Sequence, residues 1–100
     1  MSTHKDLNQI IIELLRSLPS LAEKYQVSSI GVFGSYVRHE ERQDSDVDLL
    51  VNFEEAPGLL KFIALENHLS DLLGVRVDLV MEDALKPSIG KRVLSEVVHV

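Results

Sequence analysis

The chain is expected to fold as an α+β domain, with helices and strands packed in layers (α/β layers). Two features predict this. Stretches with apolar residues at helical spacing alternate with short β-branched runs, and the order helix, strand, helix, strand, helix, strand, helix implies layers of the two. The composition agrees: 45% hydrophobic and 26% charged residues in a chain of 100 describe a globular domain, not a disordered one. Residues 1–100 are read as a single domain.

Each element has its own signal. Leu7, Ile10, Ile11, Leu14, Leu15 and Leu18 recur at helical spacing. Thr3 is a candidate cap, and Asp6 suits the first turn. Pro19-Ser20 is expected to interrupt this helix, with a short helical piece, Leu21 to Tyr25, after it. Val27 to Phe33 reads as a buried strand that ends in a turn at Gly34-Ser35. Tyr36 to Glu41 is expected to be a short helix, and Gln43-Asp44-Ser45 a loop. Asp46 to Phe53 is the clearest strand. Pro57-Gly58 breaks it, with Pro57 placed to open the next helix. Leu59, Leu60, Ile63, Leu65, Leu69, Leu72 and Leu73 line that helix, and Gly74 stops it. Val75 to Val80 is the third strand, and Met81-Glu82-Asp83 leaves it. Pro87 to Glu96 reads as a helix with Ile89, Val93 and Leu94 inward. Val97 to Val100 is a short strand or a docked end.

The bulk numbers exclude several classes. No cysteine is present, so neither disulfide scaffolds nor cysteine-based zinc sites are available. The N-terminus lacks the layout of a signal peptide, and no apolar run is long enough to span a bilayer, so a cytoplasmic location is expected with no membrane association. A net charge of −6 argues against direct nucleic-acid binding. It suits divalent metal binding or a basic partner. His4, His39, His68 and His99 show no ligand spacing, and none is assigned to metal; His68 is placed on the exposed side of its helix. The apolar surplus of the first helix, Ile10, Ile11, Ile12, Leu14 and Leu15, covers more than one face. It suits a partner interface or self-association as a homodimer, or simply a deeply wrapped helix.

The chemistry is concentrated in Asp46-Val47-Asp48-Leu49-Leu50-Val51. Alternation along a strand puts Asp46 and Asp48 on one face and Val47, Leu49 and Val51 on the other, toward the core. Two carboxylates this close repel unless a cation lies between them or water surrounds them, and Mg²⁺ is the natural cation. Gly34-Ser35 follows an apolar strand. Its glycine allows close backbone approach to a phosphate, the amides that begin the next helix favour an anion, and the Ser35 hydroxyl adds a donor. Alone, the pair reads first as a plain strand-to-helix turn with a serine cap. Asp78 is a lone acid in an apolar strand. It is a partner for Arg76, an edge position facing solvent or, if its strand lies beside that of Asp46, a third carboxylate in the cluster. Three such acids can hold two divalent ions about 4 Å apart, one activating the attacking oxygen and the other holding the triphosphate.

Gly34-Ser35, ten residues, then Asp46-Val47-Asp48 matches the Gly-Ser-x10-Asp-x-Asp motif of the polymerase β-like nucleotidyltransferase superfamily. Gly34-Ser35-Tyr36-Val37-Arg38 with Asp44-Ser45-Asp46-Val47-Asp48-Leu49-Leu50-Val51 resembles its smallest branch, the minimal nucleotidyltransferases that form the antitoxin halves of HEPN/MNT toxin–antitoxin pairs. The resemblance spans nearly the whole chain, including Val77-Asp78-Leu79-Val80 and the Leu85-Lys86-Pro87 helix start. It implies that family's fold: a small mixed sheet of three to four strands flanked by helices.

The same resemblance implies roles. Gly34 and Ser35 bind the β and γ phosphates. Asp46 and Asp48 coordinate Mg²⁺, and two ions are expected. Asp78 completes the metal site and helps deprotonate the acceptor. Arg38 is assigned to phosphate contacts, with a salt bridge to Glu41 or Asp44 as its other reading. The implied reaction is attack of a hydroxyl on the α-phosphorus of a nucleoside triphosphate, ATP by resemblance, with release of pyrophosphate. Because no acceptor-holding domain is visible, the implied acceptor is a tyrosine of a partner HEPN toxin. A non-catalytic antitoxin that only binds its toxin and a small-molecule nucleotidyltransferase subunit are the alternatives. One position departs from the family pattern: relatives commonly carry glycine after the arginine, and this chain carries His39.

Overall fold

The computed structural model describes residues 5–42 and 44–100. Helix α1 (Leu7–Tyr25) is followed by strands β1 (Val27–Phe33) and β2 (Val47–Phe53), helix α2 (Leu59–Leu73), strand β3 (Val77–Met81), helix α3 (Pro87–Glu96) and the two-residue strand β4 (Val98–His99). Single 3₁₀ turns, Gly34–Tyr36 and Glu82–Ala84, follow β1 and β3. The strands form one mixed sheet in the order β3-β2-β1-β4. The β1–β2 and β1–β4 pairs are antiparallel, and β2–β3 is parallel. The expected mixed sheet flanked by helices is therefore present, with the tail as its fourth strand.

Helix α1 corrects two expectations. Its cap is Asp6, whose carboxylate accepts from the Gln9 amide at 2.9 Å while the Gln9 side chain accepts from the Asp6 amide at 3.0 Å. This is a reciprocal capping box. Thr3, the expected cap, lies outside the described residues, as do His4 and Gln43. The helix also runs unbroken through Pro19. Ile10, Leu14 and Leu21 are all fully buried, and their spacing keeps one helical face turned inward on both sides of the proline. Burial of that face outweighs the ~3 kcal/mol that an interior proline costs.

The core lies between α1, α2 and one face of the sheet. Ile10, Leu14 and Leu21 of α1 and Leu65, Leu69 and Leu73 of α2 meet Ile30, Val32, Val47, Leu49, Val51, Val77 and Leu79. The edge strand β3 is sealed by α2, where Ser70 Oγ accepts from the Val77 amide at 3.0 Å and Glu66 Oε2 from the Leu79 amide at 2.9 Å. Edge amides that are already satisfied cannot recruit a foreign strand.

Other boundaries move. Gly58, not Pro57, caps α2, and Leu59, Leu60 and Ile63 at its start are exposed. Strand β3 begins at Val77 instead of Val75, and β2 at Val47 instead of Asp46. In α3 the buried positions are Gly90 and Val93, while Ile89 and Leu94, expected inward, are 51% and 48% exposed. His68 is half-buried instead of exposed, its ring centroid 5.8 Å from that of Tyr25. Tyr36 to Glu41 is no helix: after the 3₁₀ turn, His39 adopts a left-handed conformation with φ 58°, which ends helical progression.

The tail docks through Gly31. A Cβ at that glycine would lie 2.6 Å from Val97 Cγ2 and 3.1 Å from the Val98 carbonyl. Its absence lets β4 pair with β1, and the Val100 amide reaches the Ile30 carbonyl at 3.0 Å. This docking brings the C-terminal end of α3 beside the turn that follows β1.

Candidate active site

Strand alternation sets up the site. Val47, Leu49, Val77 and Leu79 face the helices, so Asp48 and Asp78 lie on the opposite face of neighbouring parallel strands. The register pairs Asp48 with Asp78 across β2–β3 and with Phe33 across β1–β2. The strand of Asp78 thus lies beside that of Asp48, the condition on which a third carboxylate in the cluster rests. Asp46 sits one residue before β2, at the end of the same pair of strands.

These acids repel. Burial, then the charges of Asp78 and Asp46, and then a hydrogen bond with Asp78 push the Asp48 carboxyl up to about 6, while Arg38 pulls it back slightly. A divalent cation between them would discharge the repulsion. The donor set is all oxygen, as Mg²⁺ prefers. Among the described residues no three His, Cys, Asp or Glu side chains form a group that could by itself hold a metal ion. A cation held here therefore draws its remaining oxygens from substrate or water.

Gly34 is required by this arrangement. Its φ is 81°, and a Cβ there would lie 2.1 Å from Asp48 Oδ2. The absent side chain makes room for the Asp48 carboxylate, a reason that could not be read from the Gly-Ser pair in isolation. The turn is held by amides of Val37 and Arg38 on the Gly34 carbonyl, at 3.1 and 3.2 Å, and of Glu40 on the Ser35 carbonyl at 2.9 Å. Ser35 is half-buried beside it.

Gly34, Arg38, Asp48 and Asp78 line one groove of about 370 Å³, walled on its far side by Leu85, Ile89, Arg92 and Glu96. That volume lies within the range of small-molecule sites, roughly 300–1,000 Å³. Asp46 is not in the lining of this groove; it borders a separate depression with Asp44, Ser45 and Arg76. Arg38 pairs with Glu40 and Glu96, not with the expected Glu41 or Asp44. Its Nε meets Glu40 Oε2 at 3.2 Å and its Nη1 meets both Glu96 oxygens at 3.2 Å.

Glu96 and Arg92 were not singled out from the sequence. Glu96 Oε2 accepts the Gly34 amide at 2.7 Å. Burial acts to raise the Glu96 carboxyl, but the Gly34 amide, then Arg38 and Arg92, outweigh it and hold the group below the usual glutamate range. The available signal was their i, i+4 relation to each other, one turn apart on a helix just before a docked tail.

No helix among the described residues is long and apolar enough to cross a membrane. A family model described as a nucleotidyltransferase domain matches residues 13–100. The chain is 64% identical over 80 residues to protein adenylyltransferase MntA of Thermococcus cleftensis, covering 80% of this chain and 81% of that protein. It resembles the solved structure of a candidate minimal nucleotidyltransferase with a TM-score of 0.81 and 42% identity, covering 97% of this chain and 98% of that one. A chain in the structure of a tri-AMPylated Shewanella oneidensis HEPN toxin bound to an MNT antitoxin shares the fold, with a TM-score of 0.66 and 19% identity over 90% of this chain and 70% of that one.

Proposed function

The chain belongs to the nucleotidyltransferase domain family, and on that footing we propose that it is a Mg²⁺-dependent protein adenylyltransferase of the cytoplasm. It moves AMP from ATP to a tyrosine hydroxyl of a partner HEPN toxin and so acts as its antitoxin. The observation that carries the reading is the Asp48–Asp78 pair across adjacent strands, with the Gly34 turn against it.

Asp48 and Asp78, with Asp46 one residue before β2, would hold Mg²⁺ together with substrate and water oxygens; when bound it neutralises triphosphate charge and favours loss of the acceptor proton. Gly34 presents a backbone N–H to an anionic oxygen, a donor fixed in place before substrate arrives. The Ser35 hydroxyl and the Arg38 guanidinium add donors on the same turn. The chain's own work is thus positioning and charge compensation, with no covalent intermediate on the protein. Support for a protein acceptor comes from the relatives: the Thermococcus protein is named for protein adenylylation, and the Shewanella toxin is tri-AMPylated in its complex.

The test is transfer of label from α-³²P-ATP to a HEPN-family protein co-expressed with this chain, with Mg²⁺ present. Label on the partner that disappears with Asp46→Asn/Asp48→Asn is the expected result. An unlabelled partner that nonetheless binds the chain and is neutralised would leave a binding antitoxin and defeat the transfer reaction.

A further inference from the structure

The Gly34 amide is already engaged. It donates to Glu96 Oε2 at 2.7 Å, and Arg38 Nη1 lies 3.2 Å from both oxygens of the same carboxylate. Two of the groups assigned above to phosphate are therefore holding an anion that the chain itself supplies. The Glu96 side chain is 21% exposed, so it is partly seated in the wall of the groove. It is the last residue of α3, and the docked tail follows directly.

A third carboxylate in the groove of Asp48 and Asp78, on a chain of net charge −6, is unfavourable unless it is compensated. Gly34, Arg38 and Arg92 supply that compensation. The same donors cannot serve a phosphate oxygen at full strength while Glu96 holds them, since one N–H satisfies one acceptor at this distance. Glu96 can leave by rotation of its own side chain, with no change in the fold.

We propose that Glu96 is a resident anion which keeps the Gly34 amide and Arg38 arranged for phosphate before nucleotide arrives, and which the incoming triphosphate must displace. Glu96 is thus a positioning residue that sets nucleotide affinity. The inference rests on the nucleotide-binding reading above and deepens it.

The experiment measures the dissociation constant of α,β-methylene-ATP with excess Mg²⁺, by calorimetry, for the wild-type chain, Glu96→Gln and Glu40→Gln. Glu40 also pairs with Arg38, through Nε, but Arg38 alone is its side-chain partner among the described residues. The expected result is ~10-fold tighter binding by E96Q, the scale of one charge-assisted contact no longer surrendered on binding. E40Q should change by less than about two-fold, as exposed ion pairs do. Where E96Q fails to fold, E96A takes its place.

Unchanged or weaker binding by E96Q, with the wild type still binding, overturns the displacement role and leaves Glu96 as a structural latch. An equal gain in E40Q also overturns it, by reducing the effect to overall charge. No binding by any of the chains, wild type included, overturns the nucleotide reading itself together with this one.

Discussion

Replacing Asp48 by Asn should make the metal-free protein more stable while removing its activity. The Asp48 carboxyl rises from 3.8 to about 6, first through burial and then through Asp78 and Asp46. At face value that rise corresponds to ~3 kcal/mol of unfavourable free energy in the ionised form. The site is only half-buried, so solvent screening reduces it to about 1–2 kcal/mol. The folded-state value is raised, so this penalty is complete above pH 6, fades as pH falls through 6, and is gone below the unfolded value near 4. The substituted asparagine carries no charge, and its amide can donate to Asp78. Thermal melts in EDTA should therefore show D48N above wild type by roughly 5–10 °C at pH 7.5, with the gap nearly closed at pH 4. Added Mg²⁺ should raise the wild-type midpoint and leave D48N unmoved. A D48N protein that is less stable at pH 7.5, or one whose gain persists at pH 4, would refute the account of a frustrated carboxylate cluster.

Two further substitutions probe the turn beside it. Gly34→Ala places a Cβ 2.1 Å from Asp48 Oδ2 at a φ of 81°, so urea melts should show a loss of about 2–3 kcal/mol, combining left-handed strain with displacement of the acid. Retention of wild-type stability would mean that the turn tolerates a side chain. His39→Gly should stabilise by roughly 0.5–1 kcal/mol, because the left-handed φ of 58° costs a non-glycine residue more than glycine loses in unfolded-chain entropy. A lowered melting midpoint would show that the imidazole makes a contact worth more than the backbone strain.

Much of the architecture is written in local pattern. Val27–Phe33 emerges with both expected ends and the helix Leu59–Leu73 with its expected stop at Gly74, because β-branched density and helical periodicity are short-range properties. The acid pair was legible only in part: alternation fixes the face of Asp48 and of Asp78, but that edge strand β3 lies beside β2 is a matter of sheet order that local pattern does not carry. Pro19 signals a break by local propensity, but the spacing from Leu14 to Leu21 keeps one helical face in phase across it, and burial of that face prevails. The expected helix at Tyr36 to Glu41 failed at His39, where the backbone turns left-handed without a glycine to announce it. The sequence offers the i, i+4 relation of Arg92 and Glu96 but not where Glu96 docks. Glu96 meets Gly34 across 62 positions of sequence, through a tail that docks only because Gly31 is bare. Contacts of that separation leave no periodic trace.

The wall that carries Ile89, Arg92 and Glu96 is the lightly moored part of the molecule. It buries only Gly90 and Val93, and beyond the bonds of Glu96 to Gly34 and Arg38 it is tied to the sheet by a strand of two residues. Loosening it exposes little oil to water, so the cleft mouth can breathe while the sheet and its two long helices stay closed. Rigid acids on one bank and a yielding bank opposite let a single small domain combine fixed chemistry with an adjustable doorway.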